Sequence, residues 1–284
     1  MHQELSDLGR AICRPRAGEP LDTARARAEA PSVTVVIPAG GFGYRMRDVA
    51  QEAGGVTQKS LLPLPNGETL IDRVVRQYAA CGFREFVALV NHEGAEVERH
   101  LGDGSRWGVR IRCSYDPEGG GSGRTGAMLH AVRRGALPAD RRMVVHNADC
   151  HVFGYAGSFP DDLLALHLAS ANEGAIATLA AVEGTPYPFT GMSIRDGRVS
   201  AVEMYPFIPV PTHTGITLLE PEALTIIEDR AGRTLKNFEA DLFPEWARAG
   251  RLAAMVLPYD HWVAVDDRKS YQRFREALAA SGDR

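Results

Sequence analysis

From residue 33 onward, short runs of continuous apolar residues alternate with longer stretches in which apolar positions recur every three or four residues. The runs "VTVVIP" (33–38), "FVALV" (86–90), "VRIRCSY" (109–115), "RMVVHNA" (142–148) and "GAIATLAAV" (174–182) have the length and β-branched content of buried strands. Between them, "TLIDRVVRQYAACG" (69–82), "GRTGAMLHAVRRG" (123–135) and "DDLLALHLASAN" (161–172) carry the helical period. Strands alternating with amphipathic helices predict an α/β protein with a mixed, mostly parallel central sheet.

After Gly184 the strand signals shorten to "GMSIR", "RVSAVEM", "GITLL" and "AAMVLPY", and the chain closes on the helical pattern "RKSYQRFREALAA". Residues 32–284 read as one domain, with a first half over 32–183 and a substrate-side half over 184–284. Residues 1–31 show no clear apolar period and read as a loosely ordered extension. The alternative is a short docking helix, because "DTARARAEA" (22–30) consists largely of helix formers.

Composition narrows the class. The chain has 284 residues and a net charge of −4, which gives no electrostatic reason to bind nucleic acid or a membrane. No run is long enough for a membrane span, and the first thirty residues lack the apolar stretch of a secretory signal. The four cysteines are scattered without a C-x-x-C pair, so a reduced, cytoplasmic protein is expected.

The chemistry concentrates in "PAGGFGYRM" (38–46), a glycine-rich turn after the first strand. Such a turn lets backbone N–H groups approach a phosphate. A dinucleotide fingerprint fails because Met46 stands where its third glycine belongs, and a P-loop fails because Gln58 precedes Lys59 and Ser60. The remaining pattern is G-G-x-G-x-R, supplied by Gly40, Gly41, Gly43 and Arg45, with Lys59 following in "QKSLLPL".

That pattern, "LGDGSRWGV" (101–109), "HNADC", "THTGITLLEPEAL", "NFEADLFPEWARAGRL" and "WVAVDDRKSYQRF" occur in the order in which the sugar-1-phosphate nucleotidylyltransferases carry their motifs. The chain resembles that family from about Val33 to Phe274, near its glucose-1-phosphate thymidylyltransferase and mannose- or heptose-1-phosphate guanylyltransferase branches. The resemblance implies a Rossmann-like nucleotidyltransferase fold and the reaction NTP plus sugar 1-phosphate giving NDP-sugar plus pyrophosphate. In that reaction one anion attacks another, so positioning and charge neutralisation carry the catalysis.

The resemblance assigns Ala39, Gly40, Gly41 and Gly43 to the triphosphate, Arg45 to the leaving pyrophosphate and Lys59 to the reacting phosphates. It implies a Mg²⁺ or Mn²⁺ ion between Asp149, at the end of the apolar strand, and Asp266, with Asp267 as the fallback. A zinc site of His146, Cys150 and His151 fits no standard spacing. Asp116 and Gly123 match the family's base-reading positions. A carboxylate only accepts hydrogen bonds, which tilts the choice of nucleotide toward GTP, since guanine offers two adjacent donors.

The sugar side departs from the family. Where many members carry E-K-P, this chain has Met204, Tyr205 and Pro206, with Glu203 one place earlier. Glu203, Gly191 and Thr214 are candidate sugar contacts, and Lys236 is a candidate for the missing cation. The departure keeps open an unusual sugar or cyclitol phosphate as acceptor. It also leaves a second reading, a non-catalytic regulatory homologue of the same fold. The oligomeric state is left open between a single chain and a homo-oligomer.

Overall fold

The computed structural model describes residues 5, 8–9, 13, 20–41, 44–52, 54–91, 94–116, 123–231 and 237–281. In chain order the elements are α1 (Thr23–Glu29), β1 (Thr34–Pro38), α2 (Arg47–Glu52), α3 (Leu70–Ala80), β2 (Glu85–Val90), α4 (Ala95–Leu101) and β3 (Arg110–Tyr115). They continue through α5 (Gly123–Arg133), β4 (Met143–His146), β5 (Cys150–Val152), α6 (Phe159–Ala171) and β6 (Ala177–Val182). The second half holds β7 (Thr185–Pro186), β8 (Thr190–Arg195), β9 (Arg198–Met204), β10 (Phe207–Ile208) and β11 (Thr212–Leu219). It ends with α7 (Pro221–Ala231), α8 (Phe238–Arg248), β12 (Leu252–Leu257), β13 (Trp262–Ala264) and α9 (Arg268–Ser281).

Seven strands form the main sheet in the order β12-β6-β11-β4-β1-β2-β3. Every neighbouring pair is parallel except the two that involve β11, which runs antiparallel to β4 and β6. Alternation along β1 divides the core: Val35 and Ile37 pack with α3 and α6 on one face, and Val36 packs with α5, α7 and α8 on the other. Helices on both faces explain why these strands are apolar throughout rather than alternating. A third cluster joins Met46, Leu62 and Leu70 to Val263 and the α9 residues Tyr271, Phe274 and Leu278. It anchors the chain's last helix beside the first glycine turn.

The helix α3 begins on a capping box, in which Thr69 and Asp72 satisfy each other's backbone N–H groups. At the N-terminus, α1 packs against α6, buries Ala26 and Ala30, and pairs Arg27 with Asp161 at 2.8 Å. Residues 23–29 therefore form a helix packed against α6. The alanine-rich face lets α1 approach α6 closely, which a search for bulky apolar periodicity does not detect.

Candidate active site

The site lies at the C-terminal ends of β1 and β4, where open α/β sheets present their loops. After β1, Ala39 extends the strand's ladder by donating to the Leu89 carbonyl at 2.8 Å. A Cβ on Gly40 would lie 2.9 Å from the Asn91 nitrogen, so glycine there is required by packing against the end of β2. Gly41 differs: among the described residues no heavy atom lies within 4 Å of where its Cβ would stand, and its φ lies outside the left-handed range. The fold does not require glycine at position 41; its missing side chain leaves the adjoining cavity open.

That cavity holds about 440 Å³ and is lined by Ala39, Gly40, Gly41, Lys59, Asp116, Gly123 and Asp149 among others. These residues span four separate sequence regions, and the sequence motifs had singled out all of them. Gly43 and Lys236 lie outside the described residues.

Lys59 opens a short 3₁₀ turn, Lys59–Leu61, and its ammonium donates to Asp149 Oδ2 and, at 3.2 Å, to Asp266 Oδ1. Burial pulls this ammonium toward neutrality, but the two carboxylates more than offset it, so its pKa stands above the ordinary lysine value. Arg45 is largely exposed, with its guanidinium 3.6 Å from Asp266 Oδ1.

Asp266 reaches Asp149 through a small antiparallel ribbon outside the main sheet. In it β13 pairs with β5, Ala264 opposite Cys150, and Val265 N–H donates to the Asp149 carbonyl at 2.8 Å. Asp267 is occupied elsewhere: its carboxylate accepts from Ser270 N–H at 2.7 Å, at the start of α9.

The histidines around Asp149 have structural partners. His146 Nε2 meets the Cys150 carbonyl at 2.8 Å, and a carbonyl only accepts, so the proton sits on Nε2 and Nδ1 accepts from the Tyr78 hydroxyl at 3.0 Å. Burial pushes His146 down to about 4 and the Cys150 thiol up. His151 stacks on Phe274. Among the described residues no group of three or more His, Cys, Asp or Glu side chains is arranged to hold a metal.

Three residues stand out only in the structure. Asn147, between β4 and Asp149, lines the cavity, and among the described residues its buried Oδ1 has no hydrogen-bond partner. Gly215, at a bulge in β11 with φ of +84°, makes room for it, since a Cβ there would lie 2.5 Å from Asn147 Nδ2. Arg124 lines the cavity from the start of α5 and is ion-paired with Glu239 at the start of α8. Asn147 and Gly215 sit inside the quoted motifs "HNADC" and "THTGITLL", which was the available signal. Nothing in the sequence pairs Arg124 with Glu239.

Gly191, Glu203 and Thr214, the described candidates for the sugar side, are not among the residues lining this cavity. Gly191 and Glu203 face each other across the two-stranded β8–β9 ribbon, which is separate from the main sheet. Thr214 is buried, and its hydroxyl donates to the Ala180 carbonyl at 2.8 Å. Asp116 is half-buried at the end of β3, and burial raises its carboxyl pKa, with His130 opposing.

The model of the nucleotidyl transferase family matches residues 34–281. The chain belongs to that family. It is 26% identical over 243 residues to the probable mannose-1-phosphate guanylyltransferase 2 of Arabidopsis thaliana, covering 83% of this chain and 62% of the relative. Over 87 residues, 30% of this chain, it is 39% identical to the N-acetylmuramate α-1-phosphate uridylyltransferase of Neisseria meningitidis, covering 35% of that protein. An equally short match, 32% identical, links it to 27% of a glucose-1-phosphate thymidylyltransferase of Actinoplanes. The chain thus spans less than two thirds of each of these relatives. A crystal structure of a proposed glucose-1-phosphate thymidylyltransferase from Bacillus anthracis, in complex with a sucrose, superposes with a TM-score of 0.63. At 22% identity it covers 87% of this chain and 95% of its own, and it shows the shared nucleotidyltransferase fold.

Proposed function

We propose that this protein transfers a nucleoside monophosphate from a nucleoside triphosphate to a sugar 1-phosphate, yielding an NDP-sugar and pyrophosphate. The observation that carries this reading is the convergence of Lys59, Asp149 and Asp266 beside the glycine turn, with Lys59 and Asp149 lining a cavity large enough for a nucleotide. A sugar phosphate oxygen attacks the α-phosphorus, the bond to the β-phosphate oxygen breaks, and that oxygen leaves with the electron pair as pyrophosphate. Lys59 stays protonated and neutralises charge at the reacting phosphates, while Arg45 takes the leaving pyrophosphate. Gly41 leaves space for the triphosphate against the backbone.

Asp149 and Asp266 converge on a single ammonium, so their oxygens already surround a site for positive charge. Two carboxylates, with substrate oxygens completing the shell, suit Mg²⁺ or Mn²⁺. When bound, such an ion would supply further neutralisation of the phosphates.

Asp116 supports guanine as the base, because a carboxylate at the cavity wall accepts but does not donate. The guanylyltransferase name of the Arabidopsis relative agrees with that preference. Gly191 and Glu203 stand as candidates for the sugar side. Cys13, Cys81, Cys113 and Cys150 are all free thiols, which supports a reducing, cytoplasmic setting. Among the described residues no helix is long and apolar enough to cross a membrane.

The test is pyrophosphate release from each nucleoside triphosphate with Mg²⁺ across a panel of sugar 1-phosphates. Release that requires both substrates supports the transferase. Nucleotide binding without turnover on any acceptor supports the regulatory reading instead.

A further inference from the structure

The cavity crosses the ends of four neighbouring strands, β4, β1, β2 and β3. Asp149 follows β4 and Asp116 follows β3, three strand spacings of about 4.8 Å from each other, so about 14 Å separates the two ends. The end at β4 and β1 holds Lys59, Asp149 and the glycine turn, the groups suited to phosphates. The far end is different in kind. Leu89 on β2 and Ala127 on α5 give it apolar walls, and Asp116 gives it an acceptor. Arg124 belongs to this far end: it precedes Ala127 by three residues on α5, so the two share a helix face, and α5 packs on β2 and β3.

Arg124 is a cation that the phosphate chemistry leaves unused, and it is held in place. Its Nη1 donates to Glu239 Oε1, with both side chains mostly buried. One residue on, the Thr125 hydroxyl accepts from Phe238 N–H at 2.9 Å. The start of α8 therefore grips the start of α5 at two adjacent points. Among the described residues Arg124 makes no other hydrogen bond or ion pair. With Nη1 engaged, the Nε–Nη2 edge of the guanidinium keeps two parallel donors in a fixed plane.

We propose that Arg124 is a base-specificity residue: its Nε–Nη2 edge donates to O6 and N7 of guanine, while Asp116 accepts from N1–H and the 2-amino group, and Glu239 is the residue that positions Arg124. The proposal rests on the reading of this cavity as a nucleotide site and deepens its guanine preference. A guanidinium fork needs two adjacent acceptors, which guanine has in O6 and N7. Adenine carries an amino donor in place of O6, and pyrimidines have no N7. Asp116 needs donors on the neighbouring edge, and guanine supplies two side by side. Because the ion pair with Glu239 is already formed, the guanidinium gives up little freedom when a base arrives.

The test is calorimetric titration of the full chain with GTP, 7-deaza-GTP and ITP in the presence of Mg²⁺. 7-Deaza-GTP lacks the N7 acceptor, and ITP lacks the 2-amino donor. For the wild type, each analogue should bind about tenfold more weakly than GTP. Arg124→Met should weaken GTP about a hundredfold and abolish the discrimination against 7-deaza-GTP. Its discrimination against ITP, which belongs to Asp116, should remain. Glu239→Ala leaves Arg124 present but unheld, and should shrink the ratio between GTP and 7-deaza-GTP. An unchanged ratio there overturns the positioning role of Glu239. A wild type that binds 7-deaza-GTP as tightly as GTP overturns the proposal without any variant. So does an Arg124→Met protein that weakens all three nucleotides equally, the result expected of a phosphate contact or a purely structural arginine. Binding needs no acceptor, so the two readings fail separately. The expected ratios in a protein that transfers nothing contradict the transferase and uphold this proposal, whereas transfer from GTP without those ratios does the reverse.

Discussion

The Lys59 ammonium and the Asp149 carboxylate, 90 residues apart in sequence, are hydrogen-bonded at the wall of the cavity. One comes from a 3₁₀ turn and the other from the end of an inner strand of the sheet. Replacing Lys59 with methionine keeps the length of the side chain but leaves Asp149 and Asp266 without their shared cation. Turnover should fall by about a hundredfold or more, the usual loss when one preorganised charge donor is removed. Steady-state kinetics at saturating substrate checks this. Unchanged kcat would remove Lys59 from the chemistry.

Asp149→Asn keeps the shape of the site while removing one charge. Turnover should collapse at ordinary Mg²⁺ concentrations, with part of it returning as Mg²⁺ is raised, because Asp266 remains. A variant with the wild-type Mg²⁺ dependence would show that the ion is held elsewhere.

The two adjacent glycines should separate under substitution. Gly40→Ala forces a Cβ against the Asn91 backbone and should cost about 1–3 kcal/mol of stability. Gly41→Ala meets no neighbour among the described residues, so stability should stay within about 0.5 kcal/mol of wild type. Its kcat/KM for the nucleotide should nevertheless drop by up to about a hundredfold, as a displaced substrate loses its alignment. Denaturant titration and kinetics on both variants measure this. Equal losses of stability would contradict the distinction.

Gly215→Ala combines a left-handed φ with a Cβ directed at Asn147. It should destabilise the protein by about 1–3 kcal/mol, the range for backbone strain at such a position, and lower turnover by displacing Asn147 from the cavity wall. A crystal structure or kinetics of the variant with Asn147 undisturbed would show the glycine acts on β11 alone.

Acid should destabilise the protein through its buried histidines. The folded pKa of His146 is depressed from 6.5 to about 4. Its contribution is therefore fully present above about pH 6.5 and is lost as the pH falls toward and through 4. The loss is on the order of 3 kcal/mol. His151 and His167, also lowered by burial, act in the same direction. Urea midpoints from about pH 7 to about pH 4.5 should decline, and His146→Gln should flatten the slope. A constant midpoint would place His146 in contact with solvent.

Local pattern made much of this site readable in advance. The apolar strand before Asp149 and the glycines after β1 mark loops at the C-terminal end of a sheet, which is why Lys59, Asp116, Gly123 and Asp149 meet in one cavity. Asp266 was harder to place, because its position depends on the β13–β5 ribbon. Each of those strands has only three residues, too short for a period-2 signal, and they are joined across more than 100 positions of chain. Thr214 looks like a pocket residue in sequence, yet the bulge at Gly215 leaves its hydroxyl bonded to Ala180.

The most direct measurement of the central claim follows the α-phosphate itself. GTP labelled at the α-phosphorus is incubated with Mg²⁺ and a panel of sugar 1-phosphates, and the labelled products are separated. Nucleotidyl transfer predicts that the label appears in an NDP-sugar, with one unlabelled pyrophosphate released per transfer, and that at ordinary Mg²⁺ concentrations Asp149→Asn sharply lowers both. The same outcome with another labelled nucleotide would revise the guanine preference and leave the transfer intact. Label that remains in the triphosphate, or passes only to free GMP or GDP, with every nucleotide and every acceptor would contradict the account.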